Sequence, residues 1–409
     1  MLSLAFLTHE PFFPLSGGGS AEAIYLVREL VKRGHIVHLF CPALGDSSAT
    51  ARDFGIQIHE FKLWKMSRYA RFRNFKYLLY PFFLQKLVQS HAANSPFDFL
   101  LSQHAISAVA AGRLRAVLRV PVVMNFLDYL TGFMETWPPL LAPPPLLKRL
   151  KNFELHLPLR YRADGVLTVS DTLADHFANA GYERERLRPI FYGYDPALFP
   201  FRGLPPEREG RPPLLVMHGS LDHHHLGRIA VEALAIVAER WPGLRLRIVG
   251  QRTAALQRFT KQAAEKAPQL QIEATGFVSY EKIAPLLAEA DLGIVPYEES
   301  IGTHCAFVAK IVEYLAVGLP VASTRLESAR RYFGKEPRIR FAGFSGAAFG
   351  QAMVEWINDL PRERERLAEA ENASNRVKRE LDWQIISRRA IDFVEETNRR
   401  SAFEPHGAA

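Results

Sequence analysis

The sequence predicts a two-domain α/β protein with a parallel sheet in each half. Three observations carry that prediction. From Leu2 to Ala180, short apolar runs of strand length alternate with helical segments, the pattern of parallel strands joined by crossover helices. The alternation stops at Tyr194 to Pro213, where Pro196, Pro200, Pro205, Pro206, Pro212 and Pro213 mark an interdomain connection. It restarts at Leu214 and runs to Phe341. The 409 residues leave room for two cores. A hydrophobic content of 48% against 23% charged excludes a disordered chain.

In the first half, Leu2 to Leu7 reads as a strand. The loop THEPFFPLSGGGSAE follows, then an amphipathic helix from Ala21 to Arg33, closed by Gly34, and a second strand, Ile36 to Phe40. Gly17, Gly18 and Gly19 precede the helix, where backbone N–H groups can approach an anion. The spacing G-x-G-x-x-G is absent and no acidic residue ends the second strand, which argues against a nicotinamide-dependent dehydrogenase. Phe97 to Ser102 and Val120 to Asn125 read as strands around an alanine-rich helix. Pro138 to Pro145 reads as a loop, and Leu146 to Arg162 as a basic amphipathic helix. Ala163 to Ser170 ends the series, with Ser170 capping a helix over Asp171 to Ala180.

The formal charge of +8 and pI near 9.4 ask for an anionic partner. The charge is concentrated in residues 61–92, where Lys62, Lys65, Arg68, Arg71, Arg73, Lys76 and Lys86 occur without an acidic residue, among Trp64, Tyr69, Phe72, Phe75, Tyr77, Tyr80, Phe82 and Phe83. Two readings fit: a surface for anionic lipid headgroups, or a helix with one core face and one solvated basic face. Mixing with bulky apolar residues suits a nucleic acid less well. Cys41 and Cys305 offer no disulfide framework and fit a reducing compartment. The N-terminus has no basic region ahead of its apolar run, and no apolar run reaches membrane-spanning length. The expectation is a cytoplasmic protein, or one lying on the inner face of a membrane without crossing it.

In the second half, strands are expected at Leu214–Met217, Leu244–Val249, Gln271–Glu273, Leu292–Val295, Val321–Ser323 and Arg338–Phe341. Pro296 to Cys305 reads as a loop, and a helix runs from Phe307 to Gly318. On it Lys310 and Glu313 stand three apart on one face. Ligands of open parallel sheets sit beyond the carboxyl ends of the strands, where this helix starts. A carboxylate there can accept the hydroxyls of a ribose and a lysine can meet phosphate; a solvated ion pair is the other reading. Helices are expected at Phe349–Asn358, Glu363–Glu380 and Asp382–Arg399.

Seven features occur in order: PLSGGGSAE with a helix and RGHIVHLFCP; ADGVLTVSDTLADHF; FYGYDPALFP; MHGSLDHHHLGRIAVEAL; ATGFVSYEKIAPLLAEADLGIVPY; KIVEYLAVGLPVAST; and Trp383 in the last helix. Together they resemble the GT-B glycosyltransferases, and among them the retaining enzymes of glycosyltransferase family 4. The resemblance implies two Rossmann-like doubly wound parallel-sheet domains facing a cleft, with a C-terminal helix crossing back to the first domain. The expected boundaries are 1–195 for the acceptor-side domain, 196–212 for the linker, 213–380 for the nucleotide-sugar domain, and 381–409 for the crossing helix and tail.

The resemblance implies transfer of a sugar from a UDP- or GDP-sugar to an acceptor hydroxyl with retention, toward a cell-envelope or lipid-linked glycan. It implies no metal or other cofactor. Glu313 should bind the nucleotide ribose, Lys310 should serve the diphosphate, and Gly18 and Gly19 should face the donor pyrophosphate. The sequence departs from the family at three places. Cys305 stands where a first glutamate is usual. Ser220 and His225 replace a basic pair after the first strand of the donor domain. Leu127, next to Asp128, replaces a histidine. Arg252 and the run His223, His224, His225 are candidate substitutes for the missing charge, the run being otherwise a solvated turn. Asp128 and His104 are candidate acceptor-side residues, His104 being equally readable as a buried structural histidine. A sugar-nucleotide epimerase and a catalytically weakened sugar or partner binder are the competing functions.

Overall fold

The computed structural model describes residues 1–15, 18–61, 73–205, 210–369 and 377–403. It divides into two compact units. The first comprises Met1–Thr131, Pro144–Phe191 and Trp383–Ala409; the second comprises Gly132–Pro143 and Tyr192–Asp382. Two boundaries differ from those read in the sequence. The second unit begins at Tyr192 and takes the proline-rich connection with it, and it also claims Gly132–Pro143 from the first half.

The first unit is built on a seven-stranded parallel sheet in the order β3-β2-β1-β4-β5-β6-β7. Its strands are β1 (Ser3–Thr8), β2 (Ile36–Pro42), β3 (Gln57–Phe61), β4 (Phe99–Gln103), β5 (Val122–Phe126), β6 (Gly165–Thr168) and β7 (Leu187–Pro189). The central strands are buried over almost every residue, which is why they read as continuous apolar runs. β3 and β7 were not expected. Both are edge strands: QIHEF is mostly half-buried and LRP is three residues long, so neither carries an apolar run. The helix Gly18–Lys32 packs on the C-terminal helix Trp383–Phe403, where Tyr25 and Trp383 stack with ring centroids 5.6 Å apart. Ser170 caps the helix Asp171–Asn179 as expected, accepting the Leu173 N–H at 3.1 Å.

The basic aromatic stretch falls partly outside the described residues, which omit 62–72. Arg73–Ala92 is a helix. Tyr80, Leu84 and Val88 on it are buried, whereas Leu78, Leu79 and Phe82 are exposed. The expected helix Leu146–Arg162 is two pieces, Pro144–Leu155 and Leu157–Arg160, broken at His156.

The second unit carries a six-stranded parallel sheet, β10-β9-β8-β11-β12-β13. Its strands are β8 (Leu214–His218), β9 (Arg245–Val249), β10 (Gln271–Gly276), β11 (Leu292–Val295), β12 (Val321–Thr324) and β13 (Ile339–Ala342). The expected loop after β11 contains a short helix, Ile301–Cys305, opened by a reciprocal cap in which Ser300 and Thr303 satisfy each other's backbone N–H. The next helix starts at Ala309 and ends at Gly318, whose φ of 94° lies in the left-handed region that glycine tolerates. The helix Gly346–Glu369 joins the expected Phe349–Asn358 to the start of the expected Glu363–Glu380 and continues through Pro361, with Trp356, Ile357 and Leu367 buried in the same core; residues 370–376 of the second lie outside the described residues. Each sheet reverses its strand order once, between β1 and β4 and between β8 and β11. Ligands of doubly wound sheets bind at those points, beyond the carboxyl ends. No described helix is long and apolar enough to cross a membrane.

Candidate active site

In the second unit, β8 ends on His218 and β11 ends one residue before Pro296 and Tyr297. The helix Ala309–Val317 places Lys310 and Glu313 at this edge. Glu313 is 3% exposed. Its Oε2 accepts the Nε2–H of His218, and its Oε1 accepts the Tyr280 hydroxyl at 2.5 Å. Tyr280 also hydrogen-bonds Tyr192. Burial, and then the Glu313 carboxylate, hold Tyr280 well above the usual phenol range, so it stays a donor. Glu313 is therefore the centre of a fixed polar cluster. A solvated ion pair with Lys310 is not formed: among the described residues the carboxylate is bonded to His218 and Tyr280.

Lys310 is partly buried. Its Nζ donates to the Tyr297 hydroxyl at 3.1 Å and lies 3.1 Å from His225 Nε2. The backbone N–H of Asp222 donates to His225 Nδ1 at 3.1 Å, which puts the proton of the neutral ring on Nε2. His225 is buried, and that burial, with His224 and Lys310 nearby, holds its pKa well below the usual imidazole range. His225 is thus neutral here, not the imidazolium that would replace a lost basic residue.

Ser220 and Arg252 are exposed on neighbouring loops. The loops touch: Gly219 N–H donates to the Val249 carbonyl at 2.9 Å, and a Cβ on Gly250 would collide with the Gly219 carbonyl oxygen. Gly219 turns the chain at φ 96°, against the Lys310 side chain. Among the helices that begin at this edge, three lie after β8, β9 and the loop that follows β11. Glu298 accepts the Ile229 N–H at 2.8 Å and so closes the start of Arg228–Arg240, and Thr253 caps Ala254–Lys266. Ala309–Val317 begins at Val308 with no side-chain cap, beside Lys310. Its positive end lies beside the Lys310 side chain. Cys305 is fully buried, so the position where a first glutamate was looked for offers no charged group.

In the first unit, the corresponding edge centres on Glu22, which is 1% exposed. Its Oε2 accepts from Gln103 Nε2 and Asn125 Nδ2, each at 2.9 Å. Gln103 Nε2 also donates to the Gly19 carbonyl at 2.9 Å, and Gln103 Oε1 accepts the Thr8 hydroxyl at 3.0 Å across the switch point. Burial raises the Glu22 pKa to about 7; the two amides pull it down and the Asp128 charge pushes it up. His104 opens the helix His104–Leu118 at φ 66°, with Nε2 3.8 Å from the Glu10 carboxylate and its ring edge-on to His9 at 5.0 Å. A Cβ at Gly19 would meet the Glu10 carboxylate and press on His104, so a larger residue there would displace the Glu10 side chain.

The structure thus gathers Gly19, His104 and Asp128 around Glu22, with Gly18 starting the same helix, and it gathers Lys310, Glu313 and His225 in the second unit. Glu22, Gln103, Asn125, His218, Tyr280 and Tyr297 were missed in the sequence. The available signal was a polar residue on a face that must be buried. Glu22 lies on the apolar stripe of its helix, and His218 ends the apolar run LLVMH.

Residues 16–198 match the family model Glycosyltransferase Family 4, and residues 212–359 match the model Glycosyl transferases group 1. No curated protein sequence matches the chain. Among solved structures, sucrose-phosphate synthase from Thermosynechococcus elongatus superimposes with a TM-score of 0.78 at 15% identity, covering 98% of this chain and 100% of that one. Anabaena HepE, solved in complex with UDP and glucose, gives 0.70 at 17% identity, covering 97% and 100%. WaaG, a glycosyltransferase involved in lipopolysaccharide biosynthesis, gives 0.66 at 18% identity, covering 96% and 99%.

Proposed function

We propose, from the premise that this chain is a glycosyltransferase of the GT-B fold, that it moves a hexosyl group from a nucleotide diphosphate-sugar to an acceptor hydroxyl with retention. The observation that carries the reading is the pairing of a buried, pre-oriented Glu313 with Lys310 at an uncapped helix start. Each carboxylate oxygen keeps a lone pair beyond its bond to His218 or Tyr280, so Glu313 can accept ribose hydroxyls without moving. Lys310 Nζ and His225 Nε2–H are both donors and face each other at 3.1 Å. A diphosphate beside them would relieve that opposition and take N–H groups from the helix start. Ser220 and Arg252 border the same edge from adjacent loops.

The bond from C1 to the diphosphate oxygen breaks, the acceptor oxygen bonds C1 on the same face, and the acceptor proton leaves with the diphosphate. Lys310 and the helix start stabilise charge that grows on the departing group. Asp128 and His104 are the acceptor-side residues in this reading, and Gly18 and Gly19 keep the backbone open to the donor. HepE, with its bound UDP and glucose, supports a UDP-sugar as the first donor to try. WaaG supports a cell-envelope or lipid-linked acceptor. The buried Cys305 and Leu127, with Ser220, favour a second reading, a binder without turnover.

Thermal-shift and calorimetric titration with UDP, GDP and their glucose and mannose conjugates tests the donor, because a ligand of the native state raises Tm by mass action. One nucleotide is expected to bind, and Lys310→Ala to weaken it roughly tenfold. No shift with any nucleotide, or equal affinity in the variant, would sink the assignment. Labelled donor with lipid extract then separates transfer, an epimerised donor, and binding alone.

A further inference from the structure

The helix Pro144–Leu155 and its continuation Leu157–Arg160 present two different faces. Leu147, Glu154, Leu157 and Pro158 are buried. Glu154 is consumed there: its carboxylate accepts the backbone N–H groups of Leu130 and Thr131 and the Thr131 hydroxyl. The opposite stripe, at spacings of three and four, runs Leu146, Arg149, Phe153, His156 and Arg160. Leu146 is 51% and Phe153 37% exposed. Arg149, Asn152, Phe153, His156 and Arg160 line an open depression of about 280 Å³. The Arg160 guanidinium lies 5.5 Å from the Phe153 ring centroid.

Residues 144–162 carry Lys148, Arg149, Lys151, Arg160 and Arg162 against the single acid Glu154. Arg149 and Arg160 make no ion pair with any described residue. Arg149 and Arg160 therefore hold positive charge on this face without an ion-pair partner among the described residues, with leucine and phenyl groups set beside it. Leu146 and Phe153 add exposed apolar surface beside that charge. A nucleic-acid backbone would answer the arginines but leave those two side chains in water. An anionic bilayer answers both, with phosphate for guanidinium and the acyl boundary for the apolar groups.

We propose that this face docks the protein on an anionic phospholipid surface, with Arg149, His156 and Arg160 gathering a lipid phosphate and Leu146 and Phe153 entering the acyl boundary. The surface is distinct from residues 61–92 and does not depend on the donor assignment. Flotation of the full chain with vesicles of phosphatidylcholine alone, and with added phosphatidylglycerol, tests it. Partition onto the anionic vesicles only is expected, falling with salt. Arg149→Ala/Arg160→Ala should lower the partition about 30-fold, and Leu146→Ser/Phe153→Ser should lower it without changing Tm. Leu78→Ser/Phe82→Ser on the other helix should leave partition unchanged; a loss with that pair and none with Leu146→Ser/Phe153→Ser would move the lipid surface to that helix and overturn the proposal. Flotation that the arginine pair leaves unchanged, or that is equal on neutral vesicles, overturns the proposal. So does binding of inorganic phosphate at the arginines without any vesicle partition, which would mark a site for soluble anions.

Discussion

The two units use one device at the amino edge of their sheets and different ones at the carboxyl edge. In the first unit Asp164, just before β6, receives a bidentate Arg115 at 2.9 and 3.0 Å and the Val122 N–H of β5 at 2.9 Å. In the second, Asp291, just before β11, receives Arg211 at 2.9 Å on both oxygens and the Leu214 N–H of β8 at 2.7 Å. Both clamps pin a strand start with a charge-assisted pair. At the opposite edge each unit buries one glutamate, but their partners differ. Glu22 is held by two neutral amides, and burial leaves it titrating at about 7. Glu313 is held by an imidazole and a phenol. The shared edge serves the fold, and the unshared edge holds the residues proposed for the chemistry.

The largest effect that would break this comparison is at Glu313. Glu313→Ala leaves His218 and Tyr280 buried without their acceptor, and should cost about 4 kcal/mol of stability in urea unfolding. A loss under about 1 kcal/mol would mean the cluster is not formed in solution.

Next comes pH. The Glu22 pKa is about 7 in the fold against an ordinary 4.5. Between those values the folded chain holds a proton that the unfolded chain has lost, so stability falls as pH rises through this window. The fall is about 3 kcal/mol, complete above pH 7. Glu154 is raised to about 7 by the same burial and adds a similar fall. Glu22→Gln should therefore lose about 3 kcal/mol less stability than the parent between pH 5 and 8 in urea unfolding, the lowered histidines contributing equally to both chains. An unchanged slope would show that Glu22 is already ionised.

The smallest effect sharpens the shared part. Asp164→Ala and Asp291→Ala should each cost about 2 kcal/mol, since each orphans a buried strand N–H. Only Asp164 also accepts a hydroxyl from the C-terminal helix, Ser401, at 3.2 Å. Faster amide exchange near Ser401 is expected in Asp164→Ala alone. Faster exchange there in both variants would reject that link.

Much of this was legible locally. The central strands are apolar on both faces, so their runs stand out from the helices between them, and Gly318 marks a helix end by its backbone alone. Edge strands β3 and β7 bury too little to leave an apolar run. The helix Ile301–Cys305 was hidden because its cap pairs serine with threonine, where the usual partner is glutamate or glutamine. Lys310 and Glu313 were found because they share a helix face and stand at a strand's carboxyl end.

By itself, then, the sequence determined the alternation of elements, the point where one series ends and another begins, and the helix that bears Lys310 and Glu313. These are properties of near neighbours and of apolar periodicity. Only the tertiary structure decided that Glu22 meets Gln103 and Asn125, that Glu313 meets His218 and Tyr280, that His225 is neutral, and that Gly132–Pro143 joins the second unit. Those outcomes rest on burial and on partners far apart in the chain, and neither is encoded in the spacing of adjacent residues.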